Sequence, residues 1–408
     1  METVDFRLRI ADVIRERGPM TVAAFMDLAL YDSESGYYAR AARRSGRAGD
    51  FFTSVDVGPL FGELLEIQIA EMAALLESQI PNPKSRSSFD LVEAGASNAQ
   101  LSADILRASR RRDPFLYDRL RLHLVETSAQ ARAVAPTTLG EVGDRLVSSG
   151  DALPPTFAGT LLANELLDAL PVHQVVMRAD GLREIYVDVA DPHGPPLVTI
   201  EGPPSTPRLG EYLDRLGVRL QPGWRAEINL RAIDWVREAA RRLSRGFIVI
   251  IDYGHDAREL YSEAHAGGTL TTFARHVAGE PDQRWGTPPW LQHPGERDIT
   301  AHVDFTSIRA AAEAEGLMTL GFLDQTYFLL GLLLSQEQDR RRSVGAGEHH
   351  GASASASGGG APRELRNARA LKTLLMPGGL GSTHKVLILG KDVGTPPLRG
   401  CSYRMRVT

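Results

Sequence analysis

Short apolar runs alternate with helix-like segments from Phe89 onward. The runs read FDLVEAG, RLHLVETS, GTLLANELLDALP and GFIVIIDYG, and each has an acidic residue at or near its end. Between them, ADILRASRRR has the pattern of a helix, and so does SAQARAVAPTTL, with a break predicted at Pro136. Alternating strands and helices are typical of βαβ units with a parallel sheet. The pattern therefore predicts an α/β core over residues 89–335.

Helical periodicity dominates the chain before that point. Phe6 and Ile10 belong to a first set of apolar residues at helical spacing, and Thr21 is placed to cap a second helix. An amphipathic helix begins at Leu60 and ends before the breaker-rich segment PNPKSRSS. Residues 1–88 are therefore predicted to form a helical N-terminal cap.

A predicted insertion, residues 171–244, interrupts the alternation. In its first part, VHQVVMRADGLREIYVDV, apolar and polar residues alternate on both sides of an Asp-Gly turn, which predicts a β-hairpin. Helices are predicted around Leu209–Leu216 and Ile233–Leu243.

The C-terminal part contains a predicted disordered loop, residues 336–362, which includes the low-complexity run VGAGEHHGASASASGGGAP. Nothing in this loop would hold His349 and His350 in a fixed geometry, so we expect no metal site. The helix Arg363–Leu375 and the strand HKVLILGK, within residues 363–408, are predicted to complete the core.

Composition narrows the possible functions. The chain has 46 Lys and Arg against 51 Asp and Glu, a net charge of −5, which does not favour nucleic acid or an anionic membrane as a partner. The single cysteine, Cys401, excludes an intrachain disulfide and a Cys-based metal site. No apolar stretch approaches the ~18 residues that span a bilayer, and the N-terminus lacks a signal or transit pattern. We expect a cytoplasmic, bacterial protein without membrane insertion. Whether the protein forms a homodimer is left open by the sequence.

Acidic and polar residues end the predicted strands. Because parallel strands bind ligands beyond their carboxyl ends, these residues should meet at one edge of the sheet. They are Glu93 with Gly95, Glu126, Asn164 with Glu165 and Asp168, and Asp252 with Tyr253. Carboxylates do not suit a phosphate-rich ligand, but they suit a ribose diol with positive charge, as in S-adenosylmethionine. Glu126 is placed to accept from both ribose hydroxyls, although a single acid at a strand end can also be a helix cap.

The chain resembles the MidA-like S-adenosylmethionine-dependent methyltransferases, whose mitochondrial members are complex I assembly factors that methylate a protein arginine. The matching segments are GYYA (36–39), GDFFTS (49–54), LFGE (60–63), LVEAG (91–95), LVETS (124–128), ANELLDALPVHQ (163–174), IDYGH (251–255), DITAHVDF (298–305) and KVLILGK (385–391). The resemblance implies a class I, Rossmann-like seven-stranded methyltransferase sheet with a helical cap and a hairpin insertion. It also implies S-adenosyl-L-methionine as cofactor and a protein substrate, such as a respiratory-complex subunit.

The resemblance and the strand ends together assign the cofactor site. The cofactor-binding candidates are Thr53, Glu93, Gly95, Asn98, Glu126 and Asn164. The family's glycine-rich turn, close to E-L-G-P-G-R-G, is reduced here to Glu93-Ala94-Gly95-Ala96-Ser97-Asn98-Ala99. We therefore expect the side chains at positions 96, 97 and 99 to add Cβ atoms where the methionine part of the cofactor lies. Asn98 is expected to adopt a left-handed conformation.

Two pairs are candidates for catalysis. Glu165 and Asp168, at i and i+3, would share one face of a helical turn and orient a guanidinium, although Asp168 can also be read as a cap. His302 and Asp304, at i and i+2, would share a face of an extended segment, or else form a plain surface pair.

Two other functions compete with methyl transfer. An inactive relative that acts as an assembly factor is consistent with the reduced glycine turn. A dinucleotide-dependent oxidoreductase is disfavoured, because the G-x-G-x-x-G fingerprint is missing.

Overall fold

The structure, a computed structural model, describes residues 6–41, 53–78, 87–190, 197–274, 277–278, 286–345, 363–375 and 383–403. The strands are β1 Met20–Thr21, β2 Phe89–Ala94, β3 Leu120–Val125, β4 Leu146–Gly150, β5 Phe157–Asn164, β6 His173–Arg178, β7 Gly181–Asp188, β8 Val198–Gly202, β9 Arg225–Ile228, β10 Leu243–His255, β11 Thr271–Ala274, β12 Val277–Ala278, β13 Asp298–Thr300, β14 Val303–Asp304, β15 Met318–Asp324 and β16 His384–Lys391. The α-helices are α1 Phe6–Arg17, α2 Val22–Tyr31, α3 Tyr37–Ala41, α4 Leu60–Ser78, α5 Gln100–Arg112, α6 Pro114–Tyr117, α7 Ala129–Leu139, α8 Arg208–Leu216, α9 Leu230–Arg242, α10 Ala257–Leu260, α11 Phe305–Ala314, α12 Gln325–Gly345 and α13 Arg363–Leu375.

The central sheet has the strand order β15-β16-β10-β5-β2-β3-β4 in the described part of the chain, and the two-residue β14 pairs with the end of β10. Strands β10, β5, β2, β3 and β4 are parallel to their neighbours in this series. Strand β16 is antiparallel to both β10 and β15. These seven strands confirm the predicted Rossmann-like α/β core. The direction of β16 also places its first residue, His384, opposite Tyr253 near the carboxyl end of β10.

Helices cover both faces of this sheet. Successive residues of a strand point to opposite faces, so Phe247, Val249 and Ile251 pack with α4, α5, α12 and α13. Ile248 and Ile250 pack on the other face with α8, α9 and α11. Burial on both faces explains why this strand is a continuous apolar run. Among the described residues, no helix is both long enough and apolar enough to cross a bilayer.

A second sheet contains the predicted hairpin, β6 and β7, in which Arg178 pairs with Gly181 across the turn. The sheet is larger than the sequence predicted, because β9, β8 and the N-terminal β1 add to the hairpin. Helices α1 and α2 pack on it through an apolar cluster that includes Phe25, Val176 and Val187. The predicted N-terminal cap is therefore divided, since α4 packs on the central sheet instead.

One predicted helix break and one predicted loop boundary are wrong. Helix α7 continues through Pro136 to Leu139, and the N–H of Gly140 bonds to the Pro136 carbonyl in the last turn. Helix α12 continues to Gly345, supported by an Arg341–Glu337 pair at 2.9 Å with i,i+4 spacing. The predicted disordered loop therefore does not begin at residue 336, and its remainder, 346–362, lies outside the described residues.

Candidate active site at the carboxyl edge of the sheet

The turn after β2 forms one side of the candidate site. Gly95, Ser97 and Ala99 have positive φ values of 72°, 44° and 64°. A Cβ atom at Gly95 would lie 3.1 Å from Leu166 Cδ1, so this position favours glycine for both conformation and space. Ser97 and Ala99 adopt left-handed conformations at a cost of roughly 1–2 kcal/mol each. The turn therefore keeps the left-handed conformations that glycine favours at two positions that have lost glycine.

The expectations for this turn are partly wrong. Ser97 and Ala99, not Asn98, have the left-handed conformation; the Asn98 side chain instead accepts from Gln100 N at 3.1 Å, at the start of α5. The side chains of Ala96 and Ala99 are buried in the apolar cluster on the α5 face of the sheet. Their methyl groups therefore pack into the core, and only the Ser97 side chain is exposed.

Glu126 lies beside this turn, directly after β3. Its Oε2 accepts from Ser97 N at 2.8 Å, and its Oε1 accepts from Ser128 N at 2.7 Å. An ionised carboxylate has about four acceptor positions. The half-buried Glu126 therefore retains the capacity to accept from a ligand diol, and its contact with the ribose hydroxyls stays a prediction.

Glu93 points into the protein instead. Its carboxylate accepts from Ser102 N at 3.2 Å and from the Ser102 hydroxyl, in the first turn of α5. Burial raises the pKa of Glu93 to about 7. Glu93 thus connects β2 to α5, and its predicted contact with a cofactor stays a prediction.

The turn after β5 is not helical, so the prediction that Glu165 and Asp168 share one face of a helical turn is wrong. Glu165 has a φ of +50°, and the following residues wrap around the carboxylate of Asp252. Asp252 Oδ2 accepts from the N–H groups of Leu166 at 3.1 Å, Leu167 at 2.7 Å and Asp168 at 3.4 Å. Consecutive N–H groups of this kind form an anion-binding concavity, here filled by a carboxylate from the adjacent strand.

The Glu165 carboxylate is a meeting point of three chain segments. Its Oε1 lies 3.4 Å from Ser54 N, from Asn164 Nδ2 and from His384 Nε2. Sequence reasoning did not select Ser54 or His384. Ser54 is part of the GDFFTS motif, which was an available signal. His384 reaches this edge because β16 is antiparallel, which no local pattern indicated.

Thr53, a predicted cofactor residue, precedes Ser54 and is held in a tight turn. Its N–H and its hydroxyl both donate to Asp56 Oδ2 at 3.0 Å. Thr53 therefore directly precedes Ser54, which contacts the site, and the contact of Thr53 with a cofactor stays a prediction.

Buried carboxylates accumulate around Asp168, which is 4% exposed. Burial raises the pKa of Asp168 well above its usual range, and so do neighbouring carboxylates, which are Asp252, Asp298 and Glu165. Burial likewise raises the pKa of Asp252 to about 7. Asp168 Oδ1 and Asn164 Oδ1 are buried and make no hydrogen bond to the described residues. This arrangement can bind a cation that carries several N–H donors.

Two tyrosines from the N-terminal region complete the acidic side. Tyr31 donates its hydroxyl to the Ala169 carbonyl at 3.1 Å, and Tyr38 donates to Asp298 Oδ1 at 3.2 Å. Burial raises the pKa of both tyrosines, so they remain protonated donors. The sequence reasoning missed Tyr38 and Asp298 as site residues, although both lie in motifs that it quoted.

The predicted pair of His302 and Asp304 is not formed, since no hydrogen bond or ion pair joins the two side chains in the described part of the chain. Asp304 caps α11, accepting from Thr306 N at 2.9 Å, and it also accepts from the Tyr212 hydroxyl at 2.6 Å. His302 lies against two other histidines. Burial, and next those imidazoles, lower the pKa of His302 to about 4. Asp304 therefore has a structural place, and a catalytic role for His302 stays a prediction.

Comparisons with known proteins show the family to which the chain belongs. Residues 64–323 match a family described as S-adenosyl-L-methionine-dependent methyltransferases. The chain is similar to the mitochondrial protein arginine methyltransferase NDUFAF7 of Rattus norvegicus, with 29% identity over 341 residues, 78% of this chain and 71% of that protein. The Homo sapiens protein of the same name is 29% identical over 346 residues, 78% of this chain and 70% of that protein. A Burkholderia thailandensis protein bound to S-adenosyl-homocysteine has a similar structure, with a TM-score of 0.80 and 26% identity, covering 97% of this chain and 94% of that chain. The family match spans most of the central sheet, and the chain belongs to this family of S-adenosyl-L-methionine-dependent methyltransferases.

Proposed function

We propose that the protein transfers a methyl group from S-adenosylmethionine to the guanidinium of an arginine in a protein substrate. Two relatives named as protein arginine methyltransferases support the choice of acceptor. The proposal rests above all on Asp168, whose buried carboxylate has neighbouring carboxylates and one oxygen without a hydrogen bond to the described residues. Such a site is stabilised by a bound cation, and a guanidinium supplies both charge and N–H donors.

The residues at the end of β2, β3 and β5 fit the cofactor. Gly95 gives the turn its left-handed backbone conformation, Glu126 retains acceptor capacity for a ribose diol, and Asn164 Oδ1 is a buried acceptor without a hydrogen bond to the described residues. We assign the ribose to Glu126 and the α-ammonium to Asn164. When bound, S-adenosylmethionine supplies a methyl group on a sulfonium, whose carbon–sulfur bond breaks as the carbon–nitrogen bond forms.

The acidic residues hold the acceptor. A free arginine has a pKa of roughly 12.5 or higher, so its guanidinium enters as a cation. Asp168 Oδ1 accepts an N–H of the guanidinium and fixes the plane of the group, which aligns the reacting nitrogen. The proton that this nitrogen loses on methylation passes to a carboxylate oxygen of the same cluster. Resemblance to the MidA-like family supports a respiratory-complex subunit as the protein that supplies the arginine.

Asp168→Asn tests this assignment. The variant keeps the shape of the side chain but loses the charge that holds the guanidinium, so kcat should fall about 10²-fold with cofactor affinity unchanged. Transfer of labelled methyl groups to lysate proteins gives the rate, mass spectrometry identifies the methylated residue, and calorimetry measures cofactor binding. The control is Asp180→Asn, an exposed acid paired with Arg183 at the β6–β7 turn.

The outcomes separate the competing functions. Label on a residue other than arginine, or full activity of the Asp168 variant, contradicts the proposal. A wild-type protein that binds the cofactor but transfers no label to any protein supports the assembly-factor alternative.

A further inference from the structure

We propose that His255, His265 and His302 form a binding site for a divalent transition-metal ion, with zinc as the best fit. The three residues come from the end of β10, from the short 3-10 helix Glu263–His265 and from the segment between β13 and β14. One ring nitrogen of each lies within 4.8 Å of the other two. This site is independent of the proposed acceptor, and neither the family nor the relatives' names assign it.

The spacing of the rings suits a single ion. The ring centres are 5.0 Å apart for His255 and His265, 5.2 Å for His255 and His302, and 5.8 Å for His265 and His302. Tetrahedral zinc with Zn–N distances of about 2.0–2.1 Å places its ligand nitrogens about 3.4 Å apart and the imidazole centres about 5 Å apart. The ring centres come to that spacing mainly when His265 and His302 move closer, and the ring nitrogens, which lie within 4.8 Å of one another, must approach to about 3.4 Å.

The planes of the rings are also inclined to one another. The angles between them are 44°, 41° and 73°. The rings are therefore tilted against one another and do not stack face to face.

Glu259, on α10, contacts two of the three rings from outside. Its carbonyl oxygen lies 3.0 Å from His265 Nδ1, and its carboxylate Oε1 lies 3.1 Å from His255 Nδ1. Metal-binding histidines commonly donate their second ring N–H to a carbonyl or a carboxylate, which directs the other nitrogen to the ion. The Glu259 carbonyl therefore leaves Nε2 of His265 as its ligand atom, whereas His255 Nδ1 is buried and makes no hydrogen bond to the described residues.

The His302 ring lacks a hydrogen-bond partner as well. His302 Nδ1 is buried and makes no hydrogen bond to the described residues. A buried ring nitrogen without a partner is costly, and coordination would remove that cost.

The ligand set selects the class of metal. Imidazole nitrogens suit zinc, copper, nickel and cobalt, whereas magnesium and calcium require oxygen ligands. Three protein ligands leave a fourth position of the tetrahedron for water. The ion would tie the end of β10, three residues beyond Asp252, to the segment that follows Asp298, and so stiffen two segments that carry the acidic cluster.

Zinc and cobalt titrations of the full chain, purified without a polyhistidine tag and treated with a chelator, test the site. We expect one zinc per chain by calorimetry, a higher melting temperature with zinc, and the visible absorption of tetrahedral cobalt. His265→Asn can still donate to the Glu259 carbonyl but lacks Nε2, so zinc affinity should fall by about tenfold or more. His302→Asn should weaken binding similarly.

Two controls isolate the cluster. His293→Asn changes an exposed histidine whose φ of +49° asparagine tolerates, and it should leave zinc binding unchanged. Replacing His349 and His350 together by Asn removes another pair of histidines that could bind zinc, and it should also leave zinc binding unchanged. Circular dichroism identifies any variant that fails to fold. The site is excluded if the wild type binds no zinc, if its cobalt complex is not tetrahedral, or if folded His265 and His302 variants bind as tightly as the wild type.

Discussion

Ser97 and Ala99 have positive φ, although neither is glycine. The two positions differ in their surroundings, because Ser97 is exposed and Ala99 is completely buried in the core. Strain at Ser97 is therefore not compensated by packing, whereas the Ala99 methyl group gains burial that offsets part of its strain.

Ser97→Gly should raise the free energy of unfolding by up to about 1 kcal/mol, because relief of roughly 1–2 kcal/mol of left-handed strain exceeds the added entropy of the unfolded chain. Urea denaturation measures the change. Gly95→Ala is the matched opposite, since its φ of +72° and its contact with Leu166 should lower the same free energy by about 1–2 kcal/mol. Stabilisation by the Gly95 substitution would contradict the turn conformation described above.

Glu126→Ala should weaken binding of S-adenosylmethionine by about 1.5–3 kcal/mol, the range for hydrogen bonds to a charged group. Part of the loss comes from the turn, because Ser97 N and Ser128 N lose their acceptor. Isothermal calorimetry gives the affinity, and Glu141→Ala, an exposed acid paired with Arg107, is the control. An unchanged affinity would remove Glu126 from the cofactor site.

At the scale of elements, a buried carboxylate joins β2 to α5. Glu93 accepts from Ser102 in the first turn of the helix, where negative charge is favourable. Burial nevertheless raises its pKa from 4.5 to about 7. Between these two pH values, the folded state keeps a proton on Glu93 that the unfolded state has released. Protonation of Glu93 therefore contributes to the free energy of unfolding fully below pH 4.5, and this contribution is lost as the pH rises through 7.

Glu93→Gln should remove this pH dependence and keep an acceptor for Ser102. The free energy of unfolding of the variant, minus that of the wild type, should therefore increase from pH 5 to pH 8, by at most about 1.4 kcal/mol per pH unit. Denaturant titrations over this range measure the difference. The free energy of unfolding of the exposed Glu296→Gln variant should follow the same pH profile as that of the wild type. The same profile for Glu93→Gln would show that Glu93 is charged in the folded state throughout this range.

At the scale of the molecule, the central sheet carries most of the candidate site, and the N-terminal helices cover its acidic side. The central sheet carries the turn after β2 and Glu126, and also Asp168 and Asp252, at the ends of β5 and β10. Helices α2 and α3, whose apolar side chains share a cluster with the second sheet, bring Tyr31 and Tyr38 to the acidic side. Packing between the N-terminal helices and the rest of the chain should therefore affect the acceptor more than the cofactor.

Phe25→Ala tests this division. Phe25 is fully buried and meets Trp290 edge to face, with ring centroids 5.7 Å apart, so the substitution should cost about 3–5 kcal/mol of unfolding free energy. Methyl transfer should fall, while calorimetry should show an unchanged cofactor affinity. The control is Leu116→Ala, a buried substitution at the amino edge of the central sheet, which should lower stability and leave the activity of the folded protein unchanged. Loss of cofactor binding in the Phe25→Ala variant would contradict this division.

Local pattern was enough to predict the alternating elements of the core. Strands β2, β3, β5 and β10 are buried by helices on both faces of the sheet. They are therefore continuous apolar runs, which can be recognised from consecutive residues. The same runs indicated that acids such as Glu126 and Asp252 would meet at one edge, because the ends of parallel strands do so in any such sheet.

Other parts of the site depended on contacts between distant segments. The antiparallel direction of β16 brings His384 to Glu165, and pairing of Tyr38 with Asp298 joins residues 260 positions apart. The left-handed Glu165 follows from the Asp252 carboxylate that the turn surrounds. None of these features has a local signature, because each is decided by burial and hydrogen bonding between segments that meet only after the sheet has formed. Sequence periodicity therefore specified the elements and the edge, whereas long-range packing decided which side chains face one another there.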